Sequence, residues 1–287
     1  MQDQAAKLRE LVKYGKEDSA HHAPRIIAVA SGKGGVGKTN LVVNLAIALV
    51  EMGQRVVIFD ADLGLANVDV LVGVVPKYNL YDVLQGTKTI SEIIVTGPAG
   101  VRIVPGGSGI QDLANLDYYQ RERLVQSLKE LEQDTDFLLV DTGAGISRNV
   151  LGFISAADEV IIVLTPEPTS LTDAYGVIKI MSKFKLHSEV HLVVNRVASA
   201  QEAQQTIGKM VTVVQKFLQI KVLPLGYIFD DKAVGKAVRK QEPFLLRFPD
   251  SAAAGSLRQL ATNLLEGNYR PPKGTTGFLN RLIRLFS

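Results

Sequence analysis

Ser31-Gly32-Lys33-Gly34-Gly35-Val36-Gly37-Lys38-Thr39 stands between an apolar, β-branched run, Arg25-Ile26-Ile27-Ala28-Val29-Ala30, and a dense apolar stretch, Leu41 to Met52. The first run reads as a buried strand and the second as a buried helix. Strand, glycine-rich loop and helix, in that order, form a phosphate-binding unit. Successive backbone N–H groups wrap an oxyanion, the helix N-terminus adds positive potential, and a lysine at the loop's end reaches the outer phosphates. Gly-x-x-x-x-Gly-Lys-Thr falls in full at Gly32 to Thr39, and Thr39 offers its hydroxyl to a magnesium ion. A glycine-rich turn that binds nothing is the bland alternative; the complete motif in its strand-to-helix setting outweighs it.

The chain beyond the loop supplies carboxylates where such a site needs them. Gln54-Arg55-Val56-Val57-Ile58-Phe59 reads as a strand ending in Asp60-Ala61-Asp62-Leu63-Gly64. Phe137-Leu138-Leu139-Val140 is a second, ending in Asp141-Thr142-Gly143. Carboxyl ends of parallel strands are where doubly wound folds gather their ligand chemistry. Strands at Glu159 to Leu164 and Val190 to Val194 alternate with helical stretches near Tyr118 to Glu132 and from Ser170. This alternation predicts an α/β fold with a doubly wound, mostly parallel sheet and helices on both faces. Asn195, at a strand end, reads by itself as a turn cap. Pro105-Gly106-Gly107-Ser108-Gly109 lacks a Lys-Thr ending and reads as a flexible loop.

Composition sets the outer limits. The 287 residues suffice for one large α/β core, and 46% hydrophobic with 21% charged residues is ordinary globular content. A net charge of +3 is too small to argue for nucleic acid by itself. Cysteine is absent, which excludes disulfides, thiolate-held clusters and a cysteine nucleophile. His21-His22, without other histidines nearby, reads as solvated linker rather than a metal site. The start of the chain lacks signal-peptide character, and Leu41 to Val50 is too short to span a bilayer.

The early lysine, Lys33, together with Gly34-Gly35-x-Gly37-Lys38-Thr39, resembles the deviant Walker A loop of the MinD/ParA family of ATPases. The resemblance implies a P-loop fold, ATP and Mg2+ as ligands, and an ATP-bound sandwich homodimer in which Lys33 reaches the partner's nucleotide. It assigns phosphate binding to Gly34, Gly35, Val36, Gly37, Lys38, Thr39 and Asn40. Asn40 stands where the family usually has Thr or Ser, and its backbone N–H still serves. Phe59 to Asp69 is similar to the family's first switch, so Asp60 is expected to support magnesium beside Thr39 and Asp141, and Asp62 to orient the attacking water. Asn195 is expected to contact adenine, Pro224 of Leu223-Pro224-Leu225-Gly226 to flank the base, and Glu167 and Asp173 to lie at the dimer contact. Missing cysteines separate the chain from the cluster-carrying relatives of this loop.

Both ends carry further signals. Asp3 to Tyr14 reads as a short amphipathic helix, and Asp3-Gln4-Ala5-Ala6-Lys7-Leu8-Arg9 resembles the element that opens FlhG proteins, the flagellar branch of the family. It implies stimulation of a signal-recognition-particle-type GTPase, FlhF, through Gln4, Leu8 and Arg9. Residues 268–287 divide into a breaker-rich linker and a helical stretch. Phe278, Leu279, Leu282, Ile283, Leu285 and Phe286 fall on one arc, with Arg281 and Arg284 on the other. A last helix docked on the body is one reading; a membrane-targeting helix, as in FlhG and MinD, is the favoured one. The expected organisation is therefore residues 1–24 as activating helix and linker, 25–267 as ATPase domain, and 268–287 as linker and anchor. The expected protein is a cytoplasmic ATPase, peripheral on the inner face of the bacterial plasma membrane. It regulates flagellar number and placement, with flagellar basal-body components as further partners. The competing readings are a MinD-type cell-division regulator and a ParA-type DNA-partitioning ATPase. Arg239, Lys240 and Arg247 form no concentrated basic stripe, which disfavours nucleic acid.

Overall fold

The computed structural model describes residues 23–62, 68–107, 117–132, 134–267, 274–275, 277–278 and 281–282. Its strands are β1 (Arg25–Ser31), β2 (Val56–Ala61), β3 (Val95–Thr96), β4 (Arg102–Val104), β5 (Phe137–Ala144), β6 (Glu159–Leu164), β7 (Glu189–Val197) and β8 (Lys221–Phe229). They form one sheet in the order β3-β4-β2-β5-β1-β6-β7-β8, with only the β3–β4 pair antiparallel. The expected doubly wound architecture is the one observed.

β1 sits at the centre because every one of its residues is apolar enough, or paired well enough, to be buried on both faces. Its side chains alternate: Ile27 and Val29 face one layer, Ile26 and Ala28 the other. The first layer holds α1 (Lys38–Glu51), α2 (Val68–Val72) and, from the C-terminal part, α9 (Lys232–Val238), α10 (Phe244–Arg247) and α11 (Ala252–Glu266). The opposite face carries α3 (Leu80–Leu84), α4 (Ile90–Ile93), α5 (Tyr118–Glu132) and α6 (Arg148–Ala156), then α7 (Pro168–Lys183) and α8 (Ala200–Phe217) over the outer strands.

Asn44 interrupts the apolar run of α1, and the fold explains it. Its Nδ2 donates to Asn40 O at 2.8 Å, and its Oδ1 accepts the Leu245 N–H at 2.9 Å. A buried amide thus fastens α10 to the helix that follows the phosphate loop. At the start of β1, the end of the strand away from the loop, Arg25 makes a two-pronged pair with Glu159, at 2.9 and 3.0 Å, and donates to Leu264 O. Hydrogen bonds from His191 and Arg25 hold the Glu159 carboxyl below its usual range against the opposing effect of burial.

The C-terminal segment departs from the favoured reading. Phe278 and Leu282 are 1% and 2% exposed and belong to the core between α5 and α6. Phe278 stacks on Phe153 with ring centroids 6.4 Å apart, and Arg281 pairs with Asp158 at 3.2 Å. Thr275 is buried and donates its hydroxyl to Glu132 at 2.8 Å. The reason is physical: Leu124, Leu128, Leu131 and Phe153 form apolar surface that the segment covers, and hydrophobic burial does not distinguish protein from lipid. Leu279, Ile283, Arg284, Leu285 and Phe286 lie outside the described residues, as do Gln4, Leu8 and Arg9. No helix among the described residues is long and apolar enough to cross a membrane.

Candidate nucleotide site

The phosphate loop leaves β1 at Ser31 and enters α1 at Lys38. Gly37 caps the helix with φ +93°, the left-handed region that glycine occupies without strain, and a Cβ there would collide with the Asn195 amide. Gly32 is glycine for a different reason: a Cβ would strike the backbone of Asp173 in α7. The loop lines a cavity of about 440 Å³ together with Asp62, Leu71, Ala144 and Arg196. Gly145 N–H donates to Ser31 O at 2.8 Å and ties the end of β5 to the loop.

Strand register places the acidic residues. Asp60 of β2 lies directly beside Asp141 of β5, and Asp141 is also the partner of Val29 on β1. Lys38 Nζ donates to Asp141 Oδ1 at 2.5 Å, with both side chains buried. Thr39 helps favour the charged form of Asp141, whose Oδ2 is buried with no partner. Burial, and then the Asp141 charge, pushes the Asp60 carboxyl up to about 7. Burial likewise raises Asp141, against the pull of Lys38. Asp62 N–H donates to Asp60 Oδ1 at 3.2 Å, and Asp62 borders the same cavity. Two buried carboxylates, one of them with an orphaned oxygen, and a threonine hydroxyl are the hard oxygen donors magnesium takes. Among the described residues no three His, Cys, Asp or Glu side chains form a metal cage.

Lys33 is held on the outside of the loop. Its Nζ pairs with Glu167 Oε2 at 2.7 Å and donates to Thr169 Oγ1 at 3.1 Å, at the start of α7. That lysine keeps the Glu167 carboxyl below its usual range. Of the residues expected at a dimer contact, Glu167 therefore meets Lys33 directly, and Asp173 backs Gly32.

A second cavity of about 530 Å³ shares Gly37, Asn40, Arg196 and Val238 with the first, so the two form one trough. Asn195 borders it and braces the loop: Nδ2 donates to Val36 O at 2.7 Å, and Oδ1 accepts Arg196 N–H at 3.0 Å. A primary amide retains a second N–H and a second lone pair for a purine edge. Pro224 does not flank this trough. It is paired with Leu192 inside β8, an edge strand that tolerates its missing N–H and runs on to Phe229. Five residues of strand, roughly 16 Å, separate Pro224 from the strand's end. Phe229, Asp230 and Asp231 border the cavity instead. Tyr227-Ile228-Phe229 continues the β pattern past Gly226 into two aspartates, the same signal that marks Asp60. Arg196, in the left-handed region at φ +60°, touches both cavities and is a further site residue that no sequence motif marks.

Similar sequences and the same fold occur in known proteins. The AAA domain family (AAA_31) matches residues 24–194. The chain is 42% identical to the antiactivator FleN of Pseudomonas aeruginosa over 94% of its own length and 97% of that protein. It is 36% identical to the flagellum site-determining protein YlxH of Helicobacter pylori, covering 91% and 90% of the two chains. This chain belongs to the flagellar branch of the MinD/ParA ATPases. Among solved structures, the septum site-determining protein MinD of Pyrococcus horikoshii, in complex with Mg-ADP, superposes with a TM-score of 0.67 at 27% identity, covering 85% of this chain and 96% of that one.

As a member of the MinD/ParA family, the protein is an ATPase. The branch's loop sequence and its fold are both present: Lys38, Thr39 and Asp62 line the first cavity, Lys38 pairs with Asp141, and Asp60 stands beside Asp141 in the sheet. Phosphoryl transfer asks little covalent chemistry of a protein, and much placement and charge compensation. The loop's backbone N–H groups and the Lys38 ammonium are sources of such positive charge, and Asp62 borders the same cavity.

Proposed function

We propose that the protein is an ATP-gated dimerising switch that sets flagellar number and placement, and that it works at the inner membrane surface and on an FlhF-type GTPase; similarity to the flagellum site-determining protein YlxH supports placement. The observation that carries the switch is the position of Lys33: a lysine of the phosphate loop turned outward, where a second copy of the chain can meet it, rather than into its own cavity. Thr39, Asp60 and Asp141 would hold magnesium, directly or through water, and the ion supplies cationic charge to the terminal phosphate oxygens. Lys38 exchanges Asp141 for those oxygens when nucleotide enters. Asp62 accepts a hydrogen bond from the attacking water and sets its line of approach.

Membrane residence follows from avidity. A single short helix with two arginines binds anionic lipid weakly. Two such helices presented by one dimer gain an effective-concentration advantage that can reach ~10²–10⁴. Docking of Phe278 and Leu282 in the core supports a resting state in which the tail is withheld from lipid. The N-terminal element with Gln4, Leu8 and Arg9 is the proposed contact to the GTPase.

Light scattering of Asp62→Ala with Mg·ATP and with Mg·ADP tests the switch: a dimer is expected only with ATP, and a monomer in both would remove it. Electron-microscopic counting of flagella in cells lacking the protein tests the biological role. Unchanged flagella together with minicells would favour the cell-division reading.

A further inference from the structure

α7 and α8 end side by side at the end of the sheet away from the nucleotide, and their ends carry a surface that nucleotide chemistry does not use. Gln219 N–H donates to Ser182 Oγ at 3.1 Å and fastens the two ends together, and Lys221 N–H donates to Ser188 O at 2.9 Å beside them. Phe184 and Phe217 project from this corner, 61% and 64% exposed. Lys183 and Lys216 lie over their rings at 5.6 and 5.3 Å, and Lys185 and Lys221 are exposed next to them. Glu189, opposite Lys221 in the strand register, is a nearby carboxylate.

We propose that this corner is a second contact for an anionic lipid surface, alongside the C-terminal helix. The inference rests on the membrane reading above. Phenylalanine rings flanked by lysines match the boundary between acyl chains and anionic headgroups: rings enter the apolar layer while lysine stems reach back to the phosphates. The corner is built rather than incidental, because hydrogen bonds lock both helix ends to the start of β8. Lys185 adds an independent observation. It sits just past the end of α7 at φ +53°, where glycine or asparagine is the ordinary choice and a lysine is strained.

Position agrees with this. The tail reaches the same end of the sheet, where Arg281 pairs with Asp158 just before β6, the neighbour of β7. One membrane could therefore meet the tail and the corner together. Each basic residue near an anionic surface strengthens partitioning on the order of fivefold.

The test is flotation of the full-length protein with Mg·ATP on equimolar phosphatidylcholine–phosphatidylglycerol vesicles and on phosphatidylcholine alone. Phe184→Ser/Phe217→Ser is expected to lose at least tenfold in partitioning to the anionic vesicles, with ATPase activity and melting temperature held. Lys185→Gly, which relieves backbone strain, is expected to melt no lower than wild type and still bind several-fold less. Anionic partitioning equal to wild type in both variants overturns the corner and leaves the tail reading standing. Loss confined to Leu285→Asp/Phe286→Asp likewise overturns the corner. Loss in the corner variants, with the tail variant unaffected, supports the corner and removes the tail. Absence of vesicle binding by the wild type overturns both.

Discussion

Lys33 of the phosphate loop and Glu167 at the start of α7 form a 2.7 Å ion pair that folds the loop's outer lysine back onto its own chain. Both side chains are partly in water, at 33% and 59% exposure, so the pair contributes little to folding. Lys33→Ala is therefore expected to leave the melting temperature nearly unchanged while abolishing ATP-dependent dimerisation and turnover. Calorimetry and light scattering on one preparation check both halves. A dimer in Lys33→Ala would show that the lysine does not cross to the partner.

Asp60 carries a pH signature. Its carboxyl titrates near 7 in the folded chain against a usual 3.8, so between those values the folded state binds the extra proton. Stability of the nucleotide-free protein is expected to fall as pH rises through that window, by up to about 4 kcal/mol from this group. Asp60→Asn removes the effect: the variant should be more stable than wild type at pH 8, with a flatter pH profile, and should need more magnesium for turnover. Denaturant titrations at pH 5 and pH 8 measure it, and parallel profiles for the two proteins would refute the assignment.

Gly32 is fixed by contact rather than by dihedral angle. A methyl group there strikes the Asp173 backbone, which cannot rotate aside as a side chain would. Gly32→Ala is expected to separate loop from α7 and to cost both fold stability and ATP affinity. Gly34→Ala, where a Cβ meets nothing within 4 Å, is expected to keep the fold. Thermal melts with and without ATP separate the two.

Phe278 tests whether the tail is docked. Removing a fully buried ring is expected to lower the stability of the nucleotide-free chain by about 3 kcal/mol. An isolated anchor helix would give no change, and chemical denaturation of Phe278→Ala decides between them.

The local chemistry was legible in the chain itself. A loop motif depends on residue identity at fixed spacing, so Gly32 to Thr39 announced the phosphate site. Apolar runs ending in Asp60 and Asp141 announced the strands that feed it, because burial on both faces demands continuous apolar residues. What needed the tertiary structure was adjacency. That Asp60 stands beside Asp141 is a matter of register between strands far apart in sequence. That Asn44 serves α10 and Asn195 serves the loop depends on which segment arrives next to each amide.

Two expectations turned on what a sequence pattern leaves open. Pro224 was expected to flank the base, yet it lies within β8, which continues to Phe229 because an edge strand does not need every N–H. The tail's apolar arc matched both a membrane and a groove, and periodicity records only that one face avoids water. Its sequence determined that Phe278 and Leu282 must be buried; only the fold, by leaving apolar surface between α5 and α6, decided against what.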